Sequence, residues 1–222
     1  MKKVLYSFIL LLVVQFSKAQ HFGLEAGSVF STMNFSNDVI ILNTNLKPGF
    51  LAGVTVDFPL NENMLINASV GYKSMGTYIQ NGSVFFDDVV DVFTIRTDNL
   101  YLNTSYDYLF VLEKIDVFIE GGAYLGYGFG GNWFYNSTNG GEVSGDIVFS
   151  NEEDDENMTF KPLDIGLLVG GGVYYNHWRF GAGYQFGLSN LNPSYNRDGD
   201  DTVINNGMAF VKVGYFFNRP RK

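Results

Sequence analysis

Residues 163–188 read LDIGLLVGGGVYYNHWRFGAGYQFGL. Two alternating runs face each other across Asn176-His177. In the first, Ile165, Leu167, Val169, Val173 and Tyr175 take one parity, and Asp164, Gly166, Gly170 and Gly172 the other. In the second, Trp178, Phe180, Ala182, Tyr184, Phe186 and Leu188 alternate with Arg179, Gly181, Gly183, Gln185 and Gly187. A period of two is a strand, and a two-residue connection between such runs predicts an antiparallel hairpin. The apolar parity is interrupted only at Gly171. The other parity is mostly glycine with isolated charges, unlike the Lys- and Glu-rich face of a strand washed by water.

The same pattern recurs outward from this hairpin. Strands are predicted at 22–31, 49–58, 64–74, 99–110, 115–129, 163–175, 178–188 and 208–217. The gaps between them alternate: 32–48, 75–98, 130–162 and 189–207 are long, whereas 59–63, 111–114 and 176–177 are short. All long loops therefore fall at one end of the sheet and all short turns at the other. Outer-membrane barrels have that asymmetry, so the expected fold is all-β, an eight-stranded antiparallel up-and-down transmembrane β-barrel. A lipocalin-like barrel or a β-sandwich also alternates, but its polar face would meet water. Here that face is Gly, Ser, Asn and Thr, which suits a crowded interior. Aromatic residues cluster where the outward face ends: Phe22, Phe58, Tyr175, Trp178, Tyr215 and Phe217 at the short-turn end, Phe30, Phe50, Tyr127 and Phe129 at the other. Girdles at both water interfaces are what a bilayer selects.

The ends of the chain agree. Lys2 and Lys3 precede an apolar run from Val4 to Val14, and Ser17-Lys18-Ala19 is a small-x-small site. This is the pattern of a secretory signal, with cleavage expected between Ala19 and Gln20. The organisation expected is a signal over 1–19, a barrel over 20–217 and a short periplasmic tail over 218–222. The chain has 222 residues, no Cys, 26 Gly and 17% charged residues. Absence of Cys excludes disulfides, thiolate metal sites and a thiol nucleophile. Loss of Lys2, Lys3 and Lys18 takes the net charge from −9 to −12, which argues against a nucleic-acid partner.

Candidate chemistry is sparse. The glycine-rich run 126–131 lacks the following helix that a dinucleotide site needs, and 132–141 reads as loop. The only histidines, His21 and His177, both belong to the short-turn end, so no Ser–His–acid arrangement is expected at the loop end. The acidic runs 152–156 and 198–201 have two readings: solvated loops, which is preferred, and clustered carboxylates that take Ca²⁺ or bridge to lipopolysaccharide through divalent ions. No catalytic residue, cofactor or metal ligand is assigned.

Several segments together resemble the PorT-like outer-membrane β-barrel family: the signal ending Ala19-Gln20, the strand with Asp164-Ile165-Gly166 and Gly170-Gly171-Gly172, the strand with Arg179, Tyr184 and Gly187-Leu188-Ser189-Asn190, and the closing Val213-Gly214-Tyr215-Phe216-Phe217. The resemblance spans the mature chain. It implies an eight-stranded barrel with both termini in the periplasm of a Gram-negative bacterium. Some relatives are linked to protein secretion or gliding machinery. The expected role is structural or binding, through long external loops that meet outer-membrane lipid, lipopolysaccharide or a surface or secretion-machinery protein. The chain is expected to be a monomer. The alternatives are a narrow pore for small solutes and a barrel-embedded lipid hydrolase.

Inside such a barrel the polar parity places Glu25, Asp57, Lys73, Asp107, Asp116, Glu120, Asp164, Arg179 and Lys212. If the first and last strands close the ring, Glu25 and Lys212 come level near the short-turn end, with Arg179 on the next strand and Glu120 across the lumen. Unpaired burial would be too costly, so these four are expected to form a salt-bridged plug.

Overall fold

The computed structural model describes residues 20–36, 41–42, 44–85, 88–137, 141–154, 156–195 and 201–219. Residues 1–19, which include the expected signal and Ala19, and most of the acidic run 198–201 lie outside the described residues. The elements are β1 (His21–Ser36), β2 (Ile41–Leu42), β3 (Asn45–Asn61), β4 (Met64–Phe85), β5 (Asp88–Val111), β6 (Asp116–Ser137), β7 (Gly141–Phe149), β8 (Met158–Phe160), β9 (Leu163–Tyr175), β10 (Trp178–Gly187) and β11 (Val203–Phe216).

Eight of these close a ring in chain order: β1, β3, β4, β5, β6, β9, β10, β11 and back to β1, every pair antiparallel. The seam pairs Glu25 with Gly214 and Gly27 with Lys212, and Phe217 N–H donates to Phe22 O at 2.8 Å. Asn176 holds φ 53° in the β9–β10 turn, a left-handed position that Asn tolerates better than most residues.

The expected long connections at residues 75–98 and 130–162 are largely strand. β4 and β5 stay paired to Phe85↔Asp88, β6 runs on through 132–137, and β7 pairs back onto it from Asn132↔Asp146 to Ser137↔Gly141. Their inward positions mix polar and apolar types, Met75, Thr77, Ile95 and Thr97 all being buried, so no clean apolar–polar alternation marks these stretches while backbone pairing continues. β8 then pairs in parallel with β7. Pro48 enters β3 beside a register shift on its β4 side, where a missing N–H removes no ladder bond.

The barrel is inside-out for a water-soluble protein. Leu24, Val54, Val70, Leu100, Leu102, Ile119, Ile165, Val169 and Val211 are exposed on its outer wall, while all nine charged residues of the polar parity are buried within. A closed ring leaves no open edge, the condition for crossing a bilayer with strands. The inward glycines make the room. A Cβ on Gly166 would stand 2.4 Å from the Tyr124 ring, and one on Gly183 would stand 2.6 Å from the Phe210 ring. Aromatic side chains on the adjacent strands, Tyr124 in register with Gly166 and Phe210 with Gly183, therefore lean over these glycines into the lumen.

Candidate functional site

The interior is layered, and the ring register sets the layers. Nearest the short-turn end, Leu65, Leu109, Phe118, Tyr174 and Phe216 form an apolar cluster. Against it lies the Arg179 guanidinium, with Nη2 2.8 Å from Asp107 Oδ2 and 2.8 Å from Glu120 Oε2. Its carbon stands 4.4 Å from the Phe118 ring centroid. The Ser105 hydroxyl lies 2.7 Å from Asp107 Oδ1 and 3.2 Å from Glu120 Oε2. One cation is thus shared by two carboxylates, and aromatic faces take part of its charge where hydrogen bonds do not reach.

Lys212 Nζ stands 3.1 Å from Glu25 Oε2, and the Tyr101 hydroxyl donates to Glu25 Oε1 at 2.7 Å. Above them Val29, Leu51, Tyr101, Met208 and Phe210 form the central apolar layer. Lys73 Nζ donates to Gln185 Oε1 at 3.2 Å and lies 4.7 Å over the Tyr124 ring, while Gln185 Nε2 donates to Asn103 Oδ1 at 3.1 Å. Tyr124 and Asn206 both donate to Asp164 Oδ2. At the long-loop end Met33, Ile95, Ile147, Phe160, Leu191 and Ile204 cap the lumen. A void lined by Leu51, Lys73, Tyr101, Glu120, Gln185 and Lys212 measures about 10 Å³, room for about one water.

The four residues of the expected plug resolve into two bonded groups, Glu25 with Lys212 and Glu120 with Arg179, rather than one. Asp107 and Tyr101 join them. Tyr101 shares inward parity with Asn99, Asn103 and Ser105, so alternation alone points to it. Arg219 lies beyond the last alternating residue and carries no periodic signal. It bonds Asp57 Oδ2 at 3.3 Å and Asp116 Oδ2 at 3.4 Å. One clue to it exists in the sequence: the polar parity holds six acids and three bases, so further cations are needed.

Of the girdle residues, Phe22, Tyr175, Trp178 and Phe217 are exposed on the outer wall, and Phe58 and Tyr215 are half-buried there. The Tyr215 ring stands 4.9 Å from Trp178 and 5.6 Å from Phe217. His177 Nδ1 lies 2.9 Å from Phe216 O, and His21 starts β1 at the same end. In the acidic loop, Asp154 Oδ1 accepts from Glu156 N–H at 2.9 Å and Asn157 N–H at 3.2 Å. Those bonds hold its carboxyl below the usual carboxylate range; it serves a turn.

The family model described as "Outer membrane protein beta-barrel domain" matches residues 15–192. No curated protein matches the chain. Among solved structures, the chain is similar to the outer membrane protein OprG of Pseudomonas aeruginosa at 10% identity and TM-score 0.49, covering 90% of this chain and 97% of that one. It is similar to Neisserial surface protein A at 17% identity and TM-score 0.42, covering 88% and 97%. It is also similar to Ail, the attachment invasion locus protein of Yersinia pestis, at 15% identity and TM-score 0.38, covering 89% and 99%. An inside-out, closed eight-stranded ring and a family match over most of the chain lead to one conclusion: the chain belongs to the outer membrane protein beta-barrel domain family and resides in the outer membrane of a Gram-negative bacterium.

Proposed function

We propose that this protein is a binding or structural barrel that works through its long-loop end and passes no solute through its lumen. The observation that carries this reading is the filled interior, where Arg179, Lys212 and Lys73 sit among their partners around a void of about 10 Å³. An eight-stranded ring leaves space only for side chains, which argues against the pore. The hydrolase reading needs a histidine near the loops, and both histidines belong to the other end. Binding then falls to the surface above the apolar cap, formed by the β6–β7 hairpin, β8 and residues 188–195. Its acidic run over 152–156 suits divalent cations shared with lipopolysaccharide, and its partner class is a surface or secretion-machinery protein, in keeping with the PorT-like resemblance. The short turns face the periplasm, and the signal over 1–19 is removed after Ala19.

Two reconstitutions test this. Vesicles carrying the barrel should not swell in small sugars or amino acids. Binding of lipopolysaccharide vesicles in Ca²⁺ should fall when residues 150–157 become a Gly-Ser linker. Solute-driven swelling, with binding unchanged by the linker, would overturn the proposal.

A further inference from the structure

Residues 218 and 219 turn back under the ring. Asn218 Oδ1 accepts from Phe22 N–H at 2.8 Å, and its Nδ2 donates to Gln20 O at 2.5 Å, which ties the tail to the opposite side of the seam. This delivers Arg219 to the short-turn mouth, where its guanidinium carbon stands over Tyr174, 3.7 Å from the ring centroid, and its nitrogens reach Asp57 and Asp116.

The cup that receives it is built without it. Asp57 is fully buried, and its two oxygens are positioned from within the wall. Asn67 Nδ2 donates to Oδ1 at 2.7 Å, and the Tyr174 hydroxyl donates to Oδ2 at 3.0 Å. Asp116 stands on β6, and Tyr174 on the adjacent β9, opposite it in register. A planar ring with carboxylates at its rim selects a delocalised, planar cation over a compact ammonium. The tail's own contacts, at 3.3 and 3.4 Å, are longer than the 2.7–2.9 Å typical of strong charge-assisted bonds. A cavity of about 310 Å³ opens beside the cup, lined among others by His21, Glu62 and Leu109. His21 Nδ1 is buried there with no hydrogen-bond partner among the described residues.

We infer that the short-turn mouth is an arginine-binding site, occupied at rest by the chain's own Arg219 and open to an arginine of an extended segment from a periplasmic protein when the tail lifts away. Departure of Arg219 leaves Asp57 and Asp116 without that cation, and an incoming arginine restores the pair. The cavity has space for the neighbouring peptide residues, and His21 offers them a polar contact.

The test is titration of the detergent-solubilised full chain and its Arg219→Ala variant with N-acetyl-arginine amide, followed by ¹³C-methyl NMR of Leu109 and Leu65. The Arg219→Ala barrel should bind saturably, and the unaltered chain about tenfold more weakly because its own arginine competes. N-acetyl-lysine amide should also bind the variant about tenfold more weakly than the arginine probe. Adding Asp116→Asn to Arg219→Ala should abolish the response. Equal binding to both proteins, equal binding of both probes, or indifference to Asp116→Asn would each overturn the inference. If Arg219→Ala does not fold, Arg219→Gln keeps the side-chain bulk and carries the same expectations.

Discussion

Replacing Arg179 with Met isolates what the interior charges contribute. The Arg179 side chain is 2% exposed, and those of its partners Asp107 and Glu120 are 0% and 1% exposed. Methionine fits between Phe118 and Tyr174 as an apolar filler, so packing is largely kept and the loss is electrostatic. Two carboxylates that shared one cation are left buried and uncompensated. Breaking a buried pair by removing one partner costs about 3–5 kcal/mol, and loss of the guanidinium over Phe118 adds about 0.5–2 kcal/mol. Methionine's own burial offsets part of this, so a net destabilisation of about 3–5 kcal/mol is expected. Replacing all three charges together, Arg179→Met with Asp107→Leu and Glu120→Met, removes the stranded acids and should return stability to within about 1–2 kcal/mol of the native barrel. Urea unfolding from lipid vesicles, followed by Trp178 fluorescence at the lipid interface, measures both. A single-variant loss below about 1 kcal/mol, or a triple variant less stable than the single, would refute the reasoning.

Other expectations follow from the same geometry. A double-mutant cycle on Glu25→Gln and Lys212→Met should give a coupling of about 1–3 kcal/mol in the same unfolding assay, and a value near zero would mean the two side chains act independently. Val54→Arg and Val169→Arg should each cost about 2–4 kcal/mol. Val143→Arg, just as exposed but on the water-facing β7, should stay within about 0.5 kcal/mol; equal costs at the three sites would place the outer wall in water. Protease added to intact cells should cut between Phe149 and Met158, where pairing lapses, and spare the turn around Glu62. Cleavage at that turn would invert the orientation.

Alternation made the ring legible because each wall residue meets either lipid or a packed lumen, and those two solvents select opposite residue types. Glu25 and Lys212 were readable as neighbours because strand closure fixes their register. The contacts across the lumen were less so. Arg179 reaches Asp107 as well as Glu120, and which acid it meets depends on side-chain reach across a space several residues wide. The hairpin extensions at 75–97 and 131–146 resemble loops in sequence because their buried positions, such as Met75, Thr77, Ile95 and Thr97, mix polar and apolar types and leave no clean alternation. Arg219 was out of reach because a single residue beyond the last strand has no period.

The sealed lumen is the central claim, and steady-state conductance of the purified barrel in planar bilayers tests it most directly. The native protein should show no sustained ionic current above the bare membrane. A variant in which Arg179, Lys212 and Glu25 are all alanine should, if it folds, admit measurable current through the space they leave. Sustained ohmic conductance in the native barrel would contradict the claim.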